Sequence, residues 1–190
     1  MPKDSTRERI LDAAMSRMLK FGYRRATMDE VAQDLVMSKN TIYRYFQSKI
    51  EIAEALFERL EKEINHELSL IEESHKDPAE IISKNIFFLQ QRLTPWFEYF
   101  LGDIKSELPD LWSRFRGFRN EKISEIKSLV EDGIKKGKFR KINSALAVRM
   151  YMGAIDQVLN PEFLEKEKIS FSDALEGVLD IWSIGVRLKK

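Results

Sequence analysis

Cysteine is absent from the 190 residues, which excludes a disulfide framework and any thiolate metal site. Histidine is nearly absent: His66 and His75 are the two, both in polar surroundings and neither beside an obvious nucleophile. Glu63-x-x-His66 has the spacing of a carboxylate-bridged di-iron bundle, but that site needs two such pairs and the chain has one. No catalytic residue, metal or cofactor is therefore expected, and the chain does not read as an enzyme. No uninterrupted apolar run approaches the roughly 18 residues that span a membrane, and MPKDSTRERI lacks the apolar core of a secretory signal. The expectation is a cytoplasmic protein with no membrane partner. Glycine and proline are sparse, at eight and five. There is no strand-like alternation, no internal repeat and no low-complexity segment, so the fold class expected is all-α.

Charge is plentiful but unevenly placed. Residues 1–49 hold ten Lys/Arg against six Asp/Glu, a net of +4, and the remainder carries a net of −3. A near-neutral whole thus divides into a basic head and a mildly acidic body.

The head is punctuated by caps. Ser5 precedes Glu8, Thr27 precedes Glu30 and Ser48 precedes Glu51, each three residues apart as a capping box requires. Ser38 is a good N-cap with Thr41 at the third position. Helices should begin near residues 5, 27, 38 and 48. The interval from Ser38 to Ser48 leaves room for about two turns, too short to persist without packing. In that short helix Ile42, Tyr45 and Phe46 share one face and point inward. Met28, Val31, Ala32 and Leu35 give the preceding helix a matching stripe, and Ile10, Ala13, Ala14, Met18 and Phe21 do so for the first. The opposite face of the short helix presents Lys39, Asn40, Tyr43, Arg44 and Gln47. This is the pattern of a helix-turn-helix reading head. Its second helix enters the major groove N-terminal end first. Lys39 and Asn40 are then the candidates for base edges, and Tyr43, Arg44 and Lys49 for phosphates.

The run TRERILDAAMSRMLKFGYRRATMDEVAQDLVMSKNTIYRYFQSKIEIAEALF resembles the N-terminal DNA-binding domain of the tetracycline-repressor-like (TetR) transcriptional regulators over about the first 60 residues. The resemblance rests on Phe21-Gly22-Tyr23, the Ala26-Thr27-Met28 entry, Ser38-Lys39-x-Thr41-Ile42-Tyr43-x-Tyr45-Phe46, and the Ser48-Lys49 start of the next helix. It implies operator contacts at Thr27, Ser38, Lys39, Thr41, Tyr43, Arg44 and Lys49. Two positions depart from the family's pattern. Val36-Met37 stands where Gly-Val is usual, which bears on the turn because Val resists positive φ. Asn40 stands where many members carry Gly, adding a side chain for sequence reading.

Beyond Phe46 the chain reads helical. Expected helices cover 49–73, 79–92, 96–107, 110–136, 144–159 and 171–187, giving about nine in all. Asp77-Pro78, Thr94-Pro95 and Asn160-Pro161 each pair a capping residue with Pro at a helix start. The division expected is a three-helix DNA-binding domain at 1–48 and a larger helical bundle at 49–190 for ligand sensing and dimerisation.

Two faces in the body carry that expectation. Met150, Ala154 and Val158 in one helix, and Leu175, Leu179, Trp182 and Val186 in another, are the candidate interface of a homodimer. In the resembled family the last two helices pair as a four-helix interface. Phe87, Phe88, Gln91, Trp96, Phe100, Asp103, Trp112 and Phe115 form an aromatic-rich stretch with a few polar groups, the composition of a small-molecule pocket. The family places its effector pocket in this middle region. The function expected is a ligand-responsive repressor that binds a palindromic double-stranded DNA operator as a dimer. A small, largely apolar or aromatic effector would release it by a population shift, with the helix from Lys49 as the lever. The alternative is a helical interaction or adaptor protein that does not bind DNA.

Overall fold

The computed structural model describes residues 5–99, 101–158 and 160–187. These form ten helices: α1 (Ser5–Phe21), α2 (Met28–Asp34), α3 (Lys39–Tyr45), α4 (Lys49–Ser74), α5 (Pro78–Tyr99), α6 (Leu101–Glu107), α7 (Pro109–Lys135), α8 (Ser144–Val158), α9 (Pro161–Glu167) and α10 (Phe171–Val186). There is no strand among the described residues beyond an isolated antiparallel bridge between Phe139 and Arg187. The all-α architecture is as the sequence indicates, with one helix more than the nine expected. The addition is α9, whose cap was legible but whose length is only seven residues. Asn160 Oδ1 accepts from the Glu162 amide at 2.9 Å and Pro161 occupies the first turn.

Pro95 does not start a helix. It lies inside α5, which continues to Tyr99. A proline costs its helix one backbone donor and crowds the preceding turn. Here the Thr94 hydroxyl donates to the Gln90 carbonyl at 2.7 Å and reinforces that turn.

The chain forms two compact units, residues 1–65 with 95–117 and residues 66–94 with 118–190. The first unit thus extends past residue 48, and α4, α5 and α7 each supply residues to both. In the first unit Ile10, Leu11 and Met18 of α1, Ile42 and Phe46 at α3, and Ile52, Leu56 and Phe57 of α4 are essentially fully buried. Phe21, expected on the inner face of α1, is 45% exposed, with the Lys20 ammonium 5.1 Å from its ring centroid. Ala13 is half-buried.

The second unit packs Ile82 and Ile86 of α5, Ile126 and Val130 of α7, Val148 and Tyr151 of α8, and Leu175 of α10 around Phe139. The amides of Lys138 and Phe139 both donate to the Gly133 carbonyl, at 2.8 and 3.1 Å. This lays the Phe139 ring over Gly133, where any Cβ would fall 2.2 Å from its Cδ2.

The turn after α2 shows what the Val36-Met37 departure means. The Val36 amide donates to the Gln33 carbonyl at 3.1 Å and the Met37 amide to the Ala32 carbonyl at 2.9 Å. That is a Schellman closure, a position glycine usually fills. Val36 takes it at φ 53°, with its side chain 94% exposed. The turn thus closes on a left-handed valine, and Val36 absorbs the strain. A left-handed β-branched residue costs roughly 1–2 kcal/mol, against which glycine's greater freedom in the unfolded chain recovers part. Val36→Gly is therefore expected to stabilise the protein by about 1 kcal/mol, read from urea denaturation. A loss of stability in that variant would mean the Val36 side chain makes contacts that outweigh its backbone.

Candidate nucleic-acid interface

Local chemistry fixes α2 and α3. Thr27 accepts from the Glu30 amide at 3.3 Å, and Glu30 accepts from the Thr27 amide at 3.0 Å, completing the capping box. The Thr27 hydroxyl, donating to Glu30 Oε2 at 2.9 Å, and then the Thr27 amide hold the Glu30 carboxyl below the ordinary carboxylate range. Arg17 of α1 grips α2 through Glu30 at 3.2 Å and through both oxygens of Asp34. Ser38 accepts from the Thr41 amide at 3.1 Å and shares a hydroxyl–hydroxyl bond with Thr41 at 2.9 Å. Ser48 caps α4 by accepting from the Glu51 amide at 3.1 Å, while Glu51 reaches back to the Gln47 amide at 2.6 Å.

With its apolar side anchored by Ile42 and Phe46, α3 turns Lys39, Asn40, Tyr43 and Arg44 outward, all of them exposed. Asn40, Tyr43 and Arg44 form no hydrogen bond or ion pair among the described residues. Thr27, Ser38 and Thr41 lie at the starts of α2 and α3, where their hydroxyls serve the caps. Arg25, two residues before Thr27, is exposed and likewise unpaired. The sequence reading passed over it. Its position in the loop leading into α2 was the available signal. Lys39 is not free: its ammonium pairs with Asp29 of α2.

Lys49 departs from expectation. Its three ammonium donors go to the carbonyls of Tyr23, Arg24 and Ala26, at 2.9, 3.3 and 3.0 Å. The Nζ also lies 4.3 Å from the Tyr23 ring centroid. Burial lowers its pKa, opposed by the charges of Asp103 and Glu107. No N–H remains for a phosphate. Lys49 instead anchors the loop between α1 and α2. The same loop is held from α6: the Arg24 amide donates to Asp103 Oδ2 at 2.8 Å and the Arg24 guanidinium pairs with Glu107.

The aromatic stretch does not assemble as one set within either unit. In the first, Trp112 stacks on Phe115 at 5.4 Å between centroids, and Phe115 meets Phe57 edge-on at 5.9 Å. Trp96 is buried there and Asp103 is committed to Arg24. In the second, Phe87 is 51% exposed, Phe88 is half-buried and Gln91 is exposed. Phe100 lies outside the described residues.

The expected dimer residues also divide. Leu175 and Val186 are buried in the chain's own core. Trp182 donates through Nε1 to the Ala147 carbonyl at 2.8 Å and packs on Tyr151, so it joins α10 to α8 within one chain. Leu179 packs against the same core. The residues facing outward are Leu146 and Met150 of α8 and Ile181 and Ile184 of α10, between 60% and 75% exposed. Leu146, Met150 and Ile181 border a groove of about 380 Å³ that also takes in Ala154 and Gly185. Val158 is half-buried.

Comparisons with known proteins agree with this geometry. The family model of bacterial regulatory proteins, tetR family, matches residues 10–56. The HTH-type transcriptional regulator YvaF of Bacillus subtilis is 28% identical over 161 residues, covering 84% of this chain and 85% of that protein. A protein from Saccharomonospora viridis solved in complex with choline shares the fold with a TM-score of 0.83 at 18% identity, over 98% of this chain and 100% of that one. The SmeT–triclosan complex does so with a TM-score of 0.73 at 20% identity, over 98% and 93%. No described helix is long and apolar enough to cross a membrane. The kinship is with transcriptional regulators, not enzymes. The N-terminal helix-turn-helix thus matches the tetR family of bacterial regulatory proteins over residues 10–56, and the helical body that follows shares the fold of the solved relatives.

Proposed function

We propose that the protein is a cytoplasmic homodimeric repressor that reads a palindromic operator through α3 and leaves it when a small apolar or aromatic effector binds. The observation that carries DNA recognition is the division of α3 into a buried side, Ile42 with Phe46, and an exposed side bearing unpaired Asn40, Tyr43 and Arg44. A second copy is supported by α8 and α10. Their outward residues are large and apolar, and Gly153, Gly177 and Gly185 have nothing within 4 Å of where a Cβ would lie. Small residues facing open space allow close helix approach. A two-fold dimer also matches the symmetry of a palindrome.

For the effector, the support is the ligand-bound state of two fold relatives, one with choline and one with triclosan. The buried side-chain oxygens of Asn85 and Gln90 accept no hydrogen bond, so a donor-bearing effector would satisfy them. Release requires the effector to favour a dimer whose heads no longer fit successive major grooves. A coupling of about 1–3 kcal/mol suffices.

The test is binding to duplex DNA as a function of salt. Affinity should fall steeply as salt rises; an absence of salt-dependent binding would mean a helical adaptor. Arg44→Ala should weaken binding to all sequences alike and lessen the salt slope by about one. Tyr43→Ala should weaken it alike with the slope unchanged, since the substitution removes a hydrogen-bonding group and no cation. Choline or triclosan added to the complex tests release. A reporter behind the selected operator gives the sign of regulation.

A further inference from the structure

We infer that Asp29 and Lys39 act as one reader of a guanine–cytosine pair in the major groove, Lys39 donating to the guanine and Asp29 accepting from the cytosine. This rests on the DNA-binding function proposed above. Asp29 is the second residue of α2 and Lys39 the first of α3, and the Lys39 ammonium pairs with Asp29 Oδ2 across the turn. The pair stands where α3 enters a groove.

Asp29 has no part in the α2 cap, which Thr27 and Glu30 complete between them. Both side chains are about half exposed or more, at 48% and 62%. An ion pair so exposed adds little stability. Nor does a carboxylate help against phosphates, which it repels. The arrangement does suit a base pair. One of the three Lys39 donors is used by Asp29 and two remain, while most of the Asp29 acceptor sites are open. On the major-groove edge of a G·C pair, guanine O6 and N7 accept and the neighbouring cytosine N4 donates. A donor and an acceptor held side by side complement that edge. An A·T pair reverses that order, with the adenine N6 donor where guanine has O6 and the thymine O4 acceptor where cytosine has N4, so a couple held in this orientation fits it poorly. The ion pair also fixes two flexible side chains before DNA arrives, lessening the ordering cost of contact.

The test is selection from a random duplex library by the full-length wild type, Asp29→Ala and Lys39→Met. Circular dichroism checks that each variant is folded. Wild type should enrich a G·C pair in each half-site. Both variants should relax that same pair, each by about tenfold in preference. Replacing its cytosine by 2-pyrimidinone, which lacks the exocyclic amine, should weaken wild type about tenfold and leave Asp29→Ala, which has no acceptor there, unaffected. The inference is overturned if Lys39→Met changes the selected sequence while Asp29→Ala does not, or if the two variants relax different base pairs. Failure of wild type to bind any duplex in a salt-dependent way is a separate outcome, and it removes the regulator function itself.

Discussion

Met150→Glu combined with Ile181→Glu is expected to yield a folded monomer whose operator affinity is lower by about 10²–10⁴-fold, the range by which linking two sites exceeds either alone. Met150 is 64% and Ile181 75% exposed in the single chain, so charge there leaves the chain's own core untouched. In a two-fold dimer the same patch meets itself, and each new carboxylate faces its own symmetry mate or its neighbour. Buried like charges cannot be tolerated at such a seam. Sedimentation reads the oligomeric state, and titration of a selected duplex reads affinity. A double variant that sediments as a dimer would move the interface off α8 and α10.

Gly133→Ala is expected to destabilise the second unit by about 3 kcal/mol, as overpacking of a fixed core position does. The added methyl would lie 2.2 and 2.3 Å from the Cδ2 and Cε2 of Phe139. That ring cannot withdraw cheaply. It is 4% exposed, its amide is bonded to the Gly133 carbonyl, and the next amide, that of Arg140, is bonded to the Val186 carbonyl. Gly177→Ala is the contrast, since nothing lies within 4 Å of its Cβ position. In the monomer it should be neutral or gain up to about 1 kcal/mol from helix propensity. Denaturation of both variants in the Met150→Glu, Ile181→Glu background separates core from interface. Equal stability of the Gly133 and Gly177 variants would refute the clash.

The reading head was legible because its signals are short in range. Capping boxes three residues apart and apolar residues three or four apart placed α1 to α4 and chose Ile42 and Phe46 as anchors. Where a residue's partner lies far along the chain, sequence reasoning failed. Lys49 looks like any exposed cation until the loop carbonyls of Tyr23, Arg24 and Ala26 converge on it. Asp103 looked like a pocket group until the Arg24 amide found it. In α10 apolar residues occur on more than one side, so periodicity could not tell the side that packs inward, with Leu175 and Val186, from the side that faces out, with Ile181 and Ile184. Pro95 misled because its surroundings, not its identity, decide whether a helix continues. The aromatic stretch was legible as composition only.

The doubly held loop between α1 and α2 has a practical corollary for anyone wishing to transplant this head. Cut at residue 48, the graft would leave Lys49, Asp103 and Glu107 behind, and with them their side-chain tethers to the Arg24 segment. A chimera with a foreign sensor must import residues 1–65 together with 95–117, or supply equivalent moorings, before its operator preference can travel with it.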